Sequence, residues 1–423
     1  MSTSALLAEL SWRGLLYQHT DGLEAALAAG RLAAYCGFDP TAASLHVGSL
    51  VPVMGLVHLQ RAGHVPIALV GGGTGMIGDP SGKRDERPLL DTGEVDANAA
   101  RQRTQLERFL RFGAGPSDAE TVNNADWLRG LNLIAFLRDI GKHFTLSYML
   151  QKESVKGRME GGISYTEFSY MLLQAYDFLH LYQTRRCELQ LGGSDQWGNI
   201  TAGIELVRRT AGGDAHGLAA PLLTTASGSK FGKTAGGAVW LDPELTSPYQ
   251  FYQFWLNADD ANVERYLKVF TFKTADEIAD LMQAQARDPG ARAPHRALAA
   301  GMTERVHGTG ATERAVEAAR LIFGEADPRT ASRDVWAVLR SELPARPLPA
   351  AFSAEASVVD VLGAAGLVKS KSEARRLIQQ RGLSWNGEPV QSADTKAGPP
   401  LAGGHYWVTV GKKTHAILYP PAS

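Results

Sequence analysis

Apolar and polar positions follow two rhythms in the first part of this chain. Residues 32–38 form an almost unbroken apolar run and read as a buried strand. From 47 to 61, Val47, Leu50, Val51, Met54 and Val57 recur at helical spacing until Gly63 stops the pattern. Residues 66–70 return to a strand. A strand, a helix and a strand of these lengths make a βαβ unit with parallel strands. Further strands are predicted at 189–191 and 221–223, and residues 248 to about 339 read as mostly helical, rich in Ala, Arg and Glu.

One helix stands apart. Ser164 and Glu167 have the spacing of a capping box, and the residues beyond them, Phe168, Met171, Leu172, Leu173, Phe178 and Leu179, make the helix apolar nearly all round. Such a helix is buried. Yet Tyr170, Gln174 and Asp177 fall at i, i+4 and i+7, a narrow polar stripe on one face. A buried carboxylate is costly without a partner, so the stripe is either a closed internal network or a pocket wall. As a wall it suits a ligand with an amine at one end and a hydroxyl at the other.

Near the end the rhythm shortens. The proline-rich stretch 343–349 reads as a stiff linker, followed by two short helices at 358–365 and 372–380. Trp385-Asn386-Gly387-Glu388 marks a tight hairpin, and 405–410 a strand.

Composition adds bounds rather than detail. At 423 residues the chain has room for about three domains, and 44% apolar with 21% charged residues describes a globular protein. The net charge of −1 hides an asymmetry: residues 357–423 carry eight Lys/Arg against four Asp/Glu, or +4, leaving −5 for the rest. A basic tail on an acidic body points to a polyanionic partner. Cys36 and Cys187 are the two cysteines, too far apart in sequence for a metal motif, which fits a reducing cytoplasm. The first ten residues read as no secretory leader, and no apolar run is long enough to span a membrane.

The candidate chemistry lies between the elements. Asp39-Pro40-Thr41 and His46-Val47-Gly48-Ser49 sit at the carboxyl end of the first predicted strand, where open parallel sheets bind ligands. Residues 225–234, Thr-Ala-Ser-Gly-Ser-Lys-Phe-Gly-Lys-Thr, hold Lys230 and Lys233 in a small-residue loop suited to a phosphate. Three residues between Gly228 and Gly232 are one too few for a P-loop. Gly73-Thr74-Gly75-Met76-Ile77-Gly78 matches a dinucleotide fingerprint, but Asp79-Pro80-Ser81-Gly82-Lys83 follows where a helix must open, which argues against a nicotinamide oxidoreductase. In Gly192-Gly193-Ser194-Asp195-Gln196-Trp197-Gly198-Asn199, two glycines let a planar ring approach the backbone. There Ser194 or Asp195 is expected to cap the helix after it.

These motifs, in this order, resemble the bacterial tyrosyl-tRNA synthetases, class I aminoacyl-tRNA synthetases, along essentially the whole chain. The match rests on residues 35–41, 75–83, 168–177, 192–200 and Lys230-Phe231-Gly232-Lys233-Thr234, and residues 370–390 resemble the RNA-binding module of ribosomal protein S4. Ser49 stands where the family's motif usually ends in His or Asn. The resemblance implies an α/β fold: a Rossmann-like parallel-sheet catalytic domain at 1–240, a helical anticodon-recognition domain at 241–342, a linker at 343–356, and an S4-like α+β RNA-binding domain at 357–423.

It also implies a reaction and roles. The carboxylate of L-tyrosine attacks the α-phosphorus of ATP, supplied with Mg²⁺, and the tyrosyl group passes from the adenylate to the 3′ end of tRNA(Tyr). No tightly bound cofactor and no protein metal site are expected. Thr41 and His46 hold the departing phosphates, and Lys83, Arg87, Lys230, Lys233 and Thr234 close over them. Asp39, Gly48, Ser49, Gly193 and Asp195, with Lys233, line the nucleotide. Asp79, Tyr170 and Gln174 take the ammonium of tyrosine, Gln196 lies near its carboxylate, and Tyr35 and Asp177 read its phenol. Lys369, Lys371, Arg375, Arg376 and Arg381 bind the tRNA. A cytoplasmic homodimer, helped by the apolar helix at 131–140, is expected.

Two alternatives remain from the sequence. A tryptophanyl-tRNA synthetase shares fold and reaction, but the pair Tyr35 and Asp177 suits a phenol better than an indole. A non-catalytic RNA-binding relative would have lost His46 or the lysines, and this chain keeps them.

Overall fold

The computed structural model describes residues 3–81, 90–152, 155–157, 162–224, 231–234, 237–349, 352–411 and 414–421. Two compact units account for the chain: Met1–Thr246 with Leu256–Val306, and Ser247–Trp255 with His307–Ser423. The helical stretch after residue 248 is thus shared between the units.

The first unit is built on a six-stranded sheet. Its strands are β1 (Gln18–His19), β2 (Ala33–Phe38), β3 (Val65–Val70), β4 (Glu120–Asn123), β5 (Cys187–Gly193) and β6 (His216–Ala220), in the order β1-β6-β5-β2-β3-β4. All neighbours pair parallel except β1, which runs against β6. The strand expected at 221–223 is instead His216–Ala220, and it stops before Pro221. The apolar run continues past the strand, but a proline has no N–H to extend the ladder. His216 and Gly217 at its start carry little β signal.

The expected helix at 47–61 begins as a 3-10 turn, Val47–Ser49, and continues as the α-helix Leu50–Arg61. Leu50, Val53, Met54, Leu56 and Leu59 are fully buried, so the helix runs through the core. A Cβ at Gly55 would come within 2.7 Å of Leu191, which fixes how closely helix and β5 approach. The polar-striped helix is Tyr165–Arg185, capped by Ser164, whose side chain accepts from the Glu167 N–H. It ends at Arg186 in a left-handed conformation, φ 51°. Trp197–Ala211 packs beside it, with Phe178 against Gly203. Neither Ser194 nor Asp195 caps that helix. Both lie in a 3-10 turn, Ser194–Gln196, that leads into it, and Gln196 holds the cap position without a side-chain bond.

The second unit closes on a smaller sheet, in the order Glu388–Pro389, Leu383–Trp385, Tyr406–Val410, Thr414–Tyr419, Ala345–Pro347. The stretch expected as a linker therefore supplies an edge strand: Ala345–Pro347 pairs parallel with Ile417 to Tyr419. An edge tolerates proline because one side of the strand has no partner. Helices Val358–Ala364 and Lys371–Gln379 cover the sheet, with Val358, Leu362, Tyr406, Val408 and Leu418 in the core. The hairpin at 385–388 has Asn386 and Gly387 both left-handed, at φ 51° and 87°, the geometry that favours Asn-Gly. Trp336, on the helix Val335–Glu342, stacks on His405 at 4.9 Å and 4°. No described helix is long and apolar enough to cross a membrane.

Candidate active site

A cavity of about 260 Å³ opens at the carboxyl ends of β2, β3 and β5. Its wall includes Tyr35, Asp39, Thr41, His46, Ser49, Asp79, Tyr170, Gln174, Asp177, Gly193 and Gln196. Eleven of the residues singled out in the sequence thus meet in one place, drawn from regions as far apart as 35 and 196. Their lining carries Asp39, Asp79 and Asp177 and, among the described residues, no lysine or arginine. Such a cavity favours a cation.

One end of the cavity is deep. Asp177 is 2% exposed, and both its oxygens are held: Asn124 Nδ2 donates to Oδ2 at 2.9 Å and Trp127 Nε1 to Oδ1 at 2.8 Å. Burial raises its carboxyl to about 7, with a smaller push from Asp39, against the pull of the two donors. Tyr35, 1% exposed, comes from β2 and packs on Phe178 at 5.3 Å. Burial, then Asp177, pushes its phenol well above the ordinary range, so it is a neutral O–H. That hydroxyl has no hydrogen-bond partner among the described residues, and neither has Gln190 Oε1, whose residue is in register with Tyr35 on β5. Two buried polar atoms left unpaired beside a cavity lower the barrier to a ligand that pairs them.

The other end is a network. Gln196 Nε2 donates to Asp79 Oδ2 at 2.7 Å, and Asn199 Nδ2 donates to Gln174 Oε1 at 3.0 Å and Gln196 Oε1 at 3.2 Å. Asp79 also accepts from the Ser81 N–H at 2.9 Å, which fixes the turn that carries it. The Tyr170 hydroxyl donates to Asp39 Oδ2 at 2.8 Å, and Thr74 Oγ1 to Asp39 Oδ1 at 2.7 Å. So the stripe Tyr170, Gln174 and Asp177 faces the cavity with each member already engaged. The wall also includes the apolar Leu69 and Leu191.

Thr41, exposed, and His46 and Ser49, half-buried, belong to the same wall. His46 Nδ1 accepts from the Gly48 N–H at 3.0 Å, which in a neutral imidazole leaves the proton on Nε2 and makes that nitrogen a donor. A Cβ at Gly48 would come within 2.7 Å of the His46 ring and 3.2 Å of the Phe231 carbonyl, so a side chain there would displace the imidazole. Phe231 itself is buried against Tyr266 and Phe270, at 4.9 and 5.4 Å. A Cβ at Gly193 would meet Asp195 at 2.5 Å. Lys83, Arg87 and Lys230 lie outside the described residues. Lys233 and Thr234 are described as backbone only, in a two-residue strand pairing with Gly237–Ala238. In the second unit, Lys369, Lys371, Arg375, Arg376 and Arg381 are all exposed, and Lys371 pairs with Asp360 at 2.6 Å.

Asn124, Trp127, Thr74, Gln190 and Asn199 were not legible in the sequence as site residues. Trp127 follows the edge strand β4, whose four residues carry no clear strand signal, so nothing placed it near residue 177. Asn199 sat within a recognised motif, and its helical spacing from Gln196 was the signal available.

Comparison with known proteins gives the family of the chain. The family model of class I tRNA synthetases (W and Y) matches residues 27–324, and that of the S4 domain matches 358–399. The chain is 57% identical to a tyrosine–tRNA ligase of Anaeromyxobacter dehalogenans, over 98% of this chain and 99% of that one. It is 49% identical to the tyrosine–tRNA ligase of Geobacillus stearothermophilus, over the same shares of the two chains. Among solved structures, the C-terminally truncated mitochondrial tyrosyl-tRNA synthetase of Aspergillus nidulans superposes with a TM-score of 0.69 at 32% identity. That match covers 75% of this chain and 94% of that one.

Proposed function

The chain belongs to the class I tRNA synthetases as a tyrosine–tRNA ligase, and from that premise we propose how its cavity divides the work. The observation that carries the reading is the lining: the buried Tyr35 and Asp177 share one cavity wall with the linked Asp79, Gln174 and Gln196 and with Leu69 and Leu191, and we run the ligand's long axis from the first pair to the second group. Tyrosine lies along this axis, its ammonium facing Asp79, Tyr170 and Gln174 and its carboxylate near Gln196. The Tyr35 hydroxyl donates to the phenol oxygen, and the phenol donates to Asp177.

ATP enters with Mg²⁺ from the mouth, against Asp39, Gly48, Ser49, Gly193 and Asp195. The carboxylate of tyrosine is already a nucleophile at neutral pH, so no general base is needed. Its oxygen bonds to the α-phosphorus as the bond to the bridging oxygen of pyrophosphate breaks. Catalysis then rests on alignment and on answering the charge that moves onto the phosphates. Thr41 and the Nε2–H of His46 serve from the sheet side; Lys83, Arg87, Lys230, Lys233 and Thr234 serve from the two loops. The 3′-terminal ribose hydroxyl of the tRNA next takes the tyrosyl group and releases AMP. Lys369, Lys371, Arg375, Arg376 and Arg381 hold the tRNA, as their exposure on one small basic module suits.

The active form is a cytoplasmic homodimer. Helix Leu133–Asp139 supports this, since Leu133 and Ile134 stand 67% and 72% exposed. Sedimentation of a Leu133→Asp/Ile134→Asp protein checks it, with a monomer expected.

Pyrophosphate exchange driven separately by tyrosine, tryptophan and phenylalanine tests the whole reading. Exchange with tyrosine should exceed both others by orders of magnitude. Equal exchange with tryptophan would overturn the assignment of the deep end.

A further inference from the structure

We propose that one face of the helix Thr92–Leu106, formed by Asn98, Gln102 and Gln105, is a positioning element for tyrosine activation. It holds the 39–46 loop so that Thr41 and His46 meet the phosphates of ATP. The proposal rests on the reading of Thr41 and His46 given above.

The loop leaves β2 beside the cavity and has no regular structure from Asp39 to Leu45, until His46 bridges antiparallel to Trp240 just before the Val47–Ser49 turn. Its backbone polar groups must therefore be satisfied from elsewhere. The helix supplies three partners at i, i+4 and i+7, a spacing that puts them on one face. Asn98 Nδ2 donates to the Pro40 carbonyl at 3.1 Å, and Gln102 Nε2 donates to the Ala42 carbonyl at 3.2 Å. Gln105 grips twice: its Oε1 accepts from the Leu45 N–H at 2.8 Å, and its Nε2 donates to Ser44 Oγ at 2.9 Å.

The Ser44 hydroxyl is used completely. It accepts from Gln105 and from the Asp242 N–H at 3.1 Å, and it donates to the Leu45 carbonyl at 2.7 Å. Thr41 and His46 are thus bracketed: Pro40 and Ala42 are held around the first, and Leu45 immediately before the second.

This is an expensive way to pack a helix. Gln102 and Gln105 are 2% and 8% exposed, and Gln102 Oε1 has no partner among the described residues. Leucine at either position would bury apolar area but would strand the Ala42 carbonyl or the Leu45 N–H. The amides satisfy those groups and in doing so fix backbone atoms next to two phosphate-facing side chains. A displacement of about 1 Å in such groups is enough to cost up to about a hundredfold in rate.

The test uses the full chain with Gln105→Met and Asn98→Ala, read against His46→Ala and Thr41→Ala. Single-turnover adenylate formation at saturating ATP, tyrosine affinity by equilibrium dialysis, and thermal midpoint are measured for each. Gln105→Met should slow activation about tenfold and Asn98→Ala about threefold, with tyrosine affinity changed less than about twofold. The double variant His46→Ala/Gln105→Met should be no more than about twofold slower than His46→Ala alone, because a positioning residue has nothing left to position. A lower midpoint with an unchanged rate, or losses that multiply in the double variant, would overturn the proposal. If Gln105→Met does not fold, the half-buried Asn98→Ala decides alone. Should His46→Ala and Thr41→Ala themselves leave activation intact, the reading of the phosphate end falls; if they slow it and the helix variants do not, only this proposal falls.

Discussion

Asp177 and Arg376 are both charged-type residues that we propose meet a substrate, and their surroundings are opposite. Asp177 is 2% exposed, held by an indole and an amide, and its carboxyl titrates near 7. Arg376 stands in solvent on the helix Lys371–Gln379, as do Lys369, Arg375 and Arg381 around it. The first arrangement concentrates its energy in a few desolvated contacts, each with a large penalty when left unpaired. The second spreads it over exposed charges, each weak and screened by salt. A small amino acid that differs from its competitor by one hydroxyl needs the former. A long polyanion, held mainly by its phosphates, is served by the latter.

The largest break in that comparison comes from Asp177→Ala. It removes the proposed acceptor for the phenol and takes one acceptor each from the buried Asn124, which keeps Thr74, and the half-buried Trp127. Tyrosine should lose two to three orders of magnitude in kcat/KM, about 3–4 kcal/mol, while phenylalanine loses far less. Tyrosyl-tRNA synthetase is the standard example of such discrimination, at about 10⁵ against phenylalanine without editing, so there is ample range to fall through. Pyrophosphate exchange with both amino acids gives the ratio, and an unchanged ratio in a folded protein would place phenol recognition elsewhere.

Acidity probes the same carboxylate more gently. Its folded pKa lies above its ordinary value, so the folded state binds the proton more tightly than the unfolded one. This group's contribution to stability therefore falls as pH rises from about 4 to about 7 and is level above that. Phenol binding needs the ionised acceptor and runs the other way. Tyrosine affinity should rise about tenfold between pH 6 and pH 8, as expected for a group titrating near 7. Asp177→Asn should flatten that profile and raise the thermal midpoint at pH 8 more than at pH 4. A profile that keeps its slope in Asp177→Asn would assign the titration to another group.

These contrasts bear on what could be read in the sequence. The stripe Tyr170, Gln174 and Asp177 was legible because helical periodicity is local, and so was the βαβ unit that carries Thr41 and His46. Asn124 and Trp127 were not, because only the pairing of β3 with β4 brings them under residue 177. Ala345–Pro347 read as a linker for the same reason: its strand partner lies some seventy residues on, and proline is a local signal against a strand. The His216–Ala220 strand was displaced because an apolar run marks burial, whereas a proline marks where the ladder ends.

Tyr35→Phe sharpens the picture of the deep end, since it should act in opposite directions on folding and on selectivity. In the free protein the Tyr35 hydroxyl is buried without a partner, so its removal should raise stability by about 1 kcal/mol. With tyrosine bound that hydroxyl is paired, and its loss should narrow the tyrosine-to-phenylalanine ratio about five- to tenfold. Denaturant unfolding and the two exchange assays check the pair of signs. Destabilisation together with an unchanged ratio would mean the hydroxyl is structural.

The smallest effects are expected on the exposed face. Arg375→Gln and Arg376→Gln each remove a charge from solvent without unpairing anything buried. The pocket lies in the other unit, so tyrosine activation should be untouched. Each change should weaken tRNA binding only a few-fold at moderate salt and make the slope of log affinity against log salt shallower by about one. Together they should add, because two exposed phosphate contacts share no partner. That additivity is what separates this surface from the pocket, where neighbouring substitutions share a network. Filter binding across a salt series reads the slope and the affinity in one experiment. A single substitution that abolished tRNA binding at every salt concentration would show that this face, too, works through a few concentrated contacts.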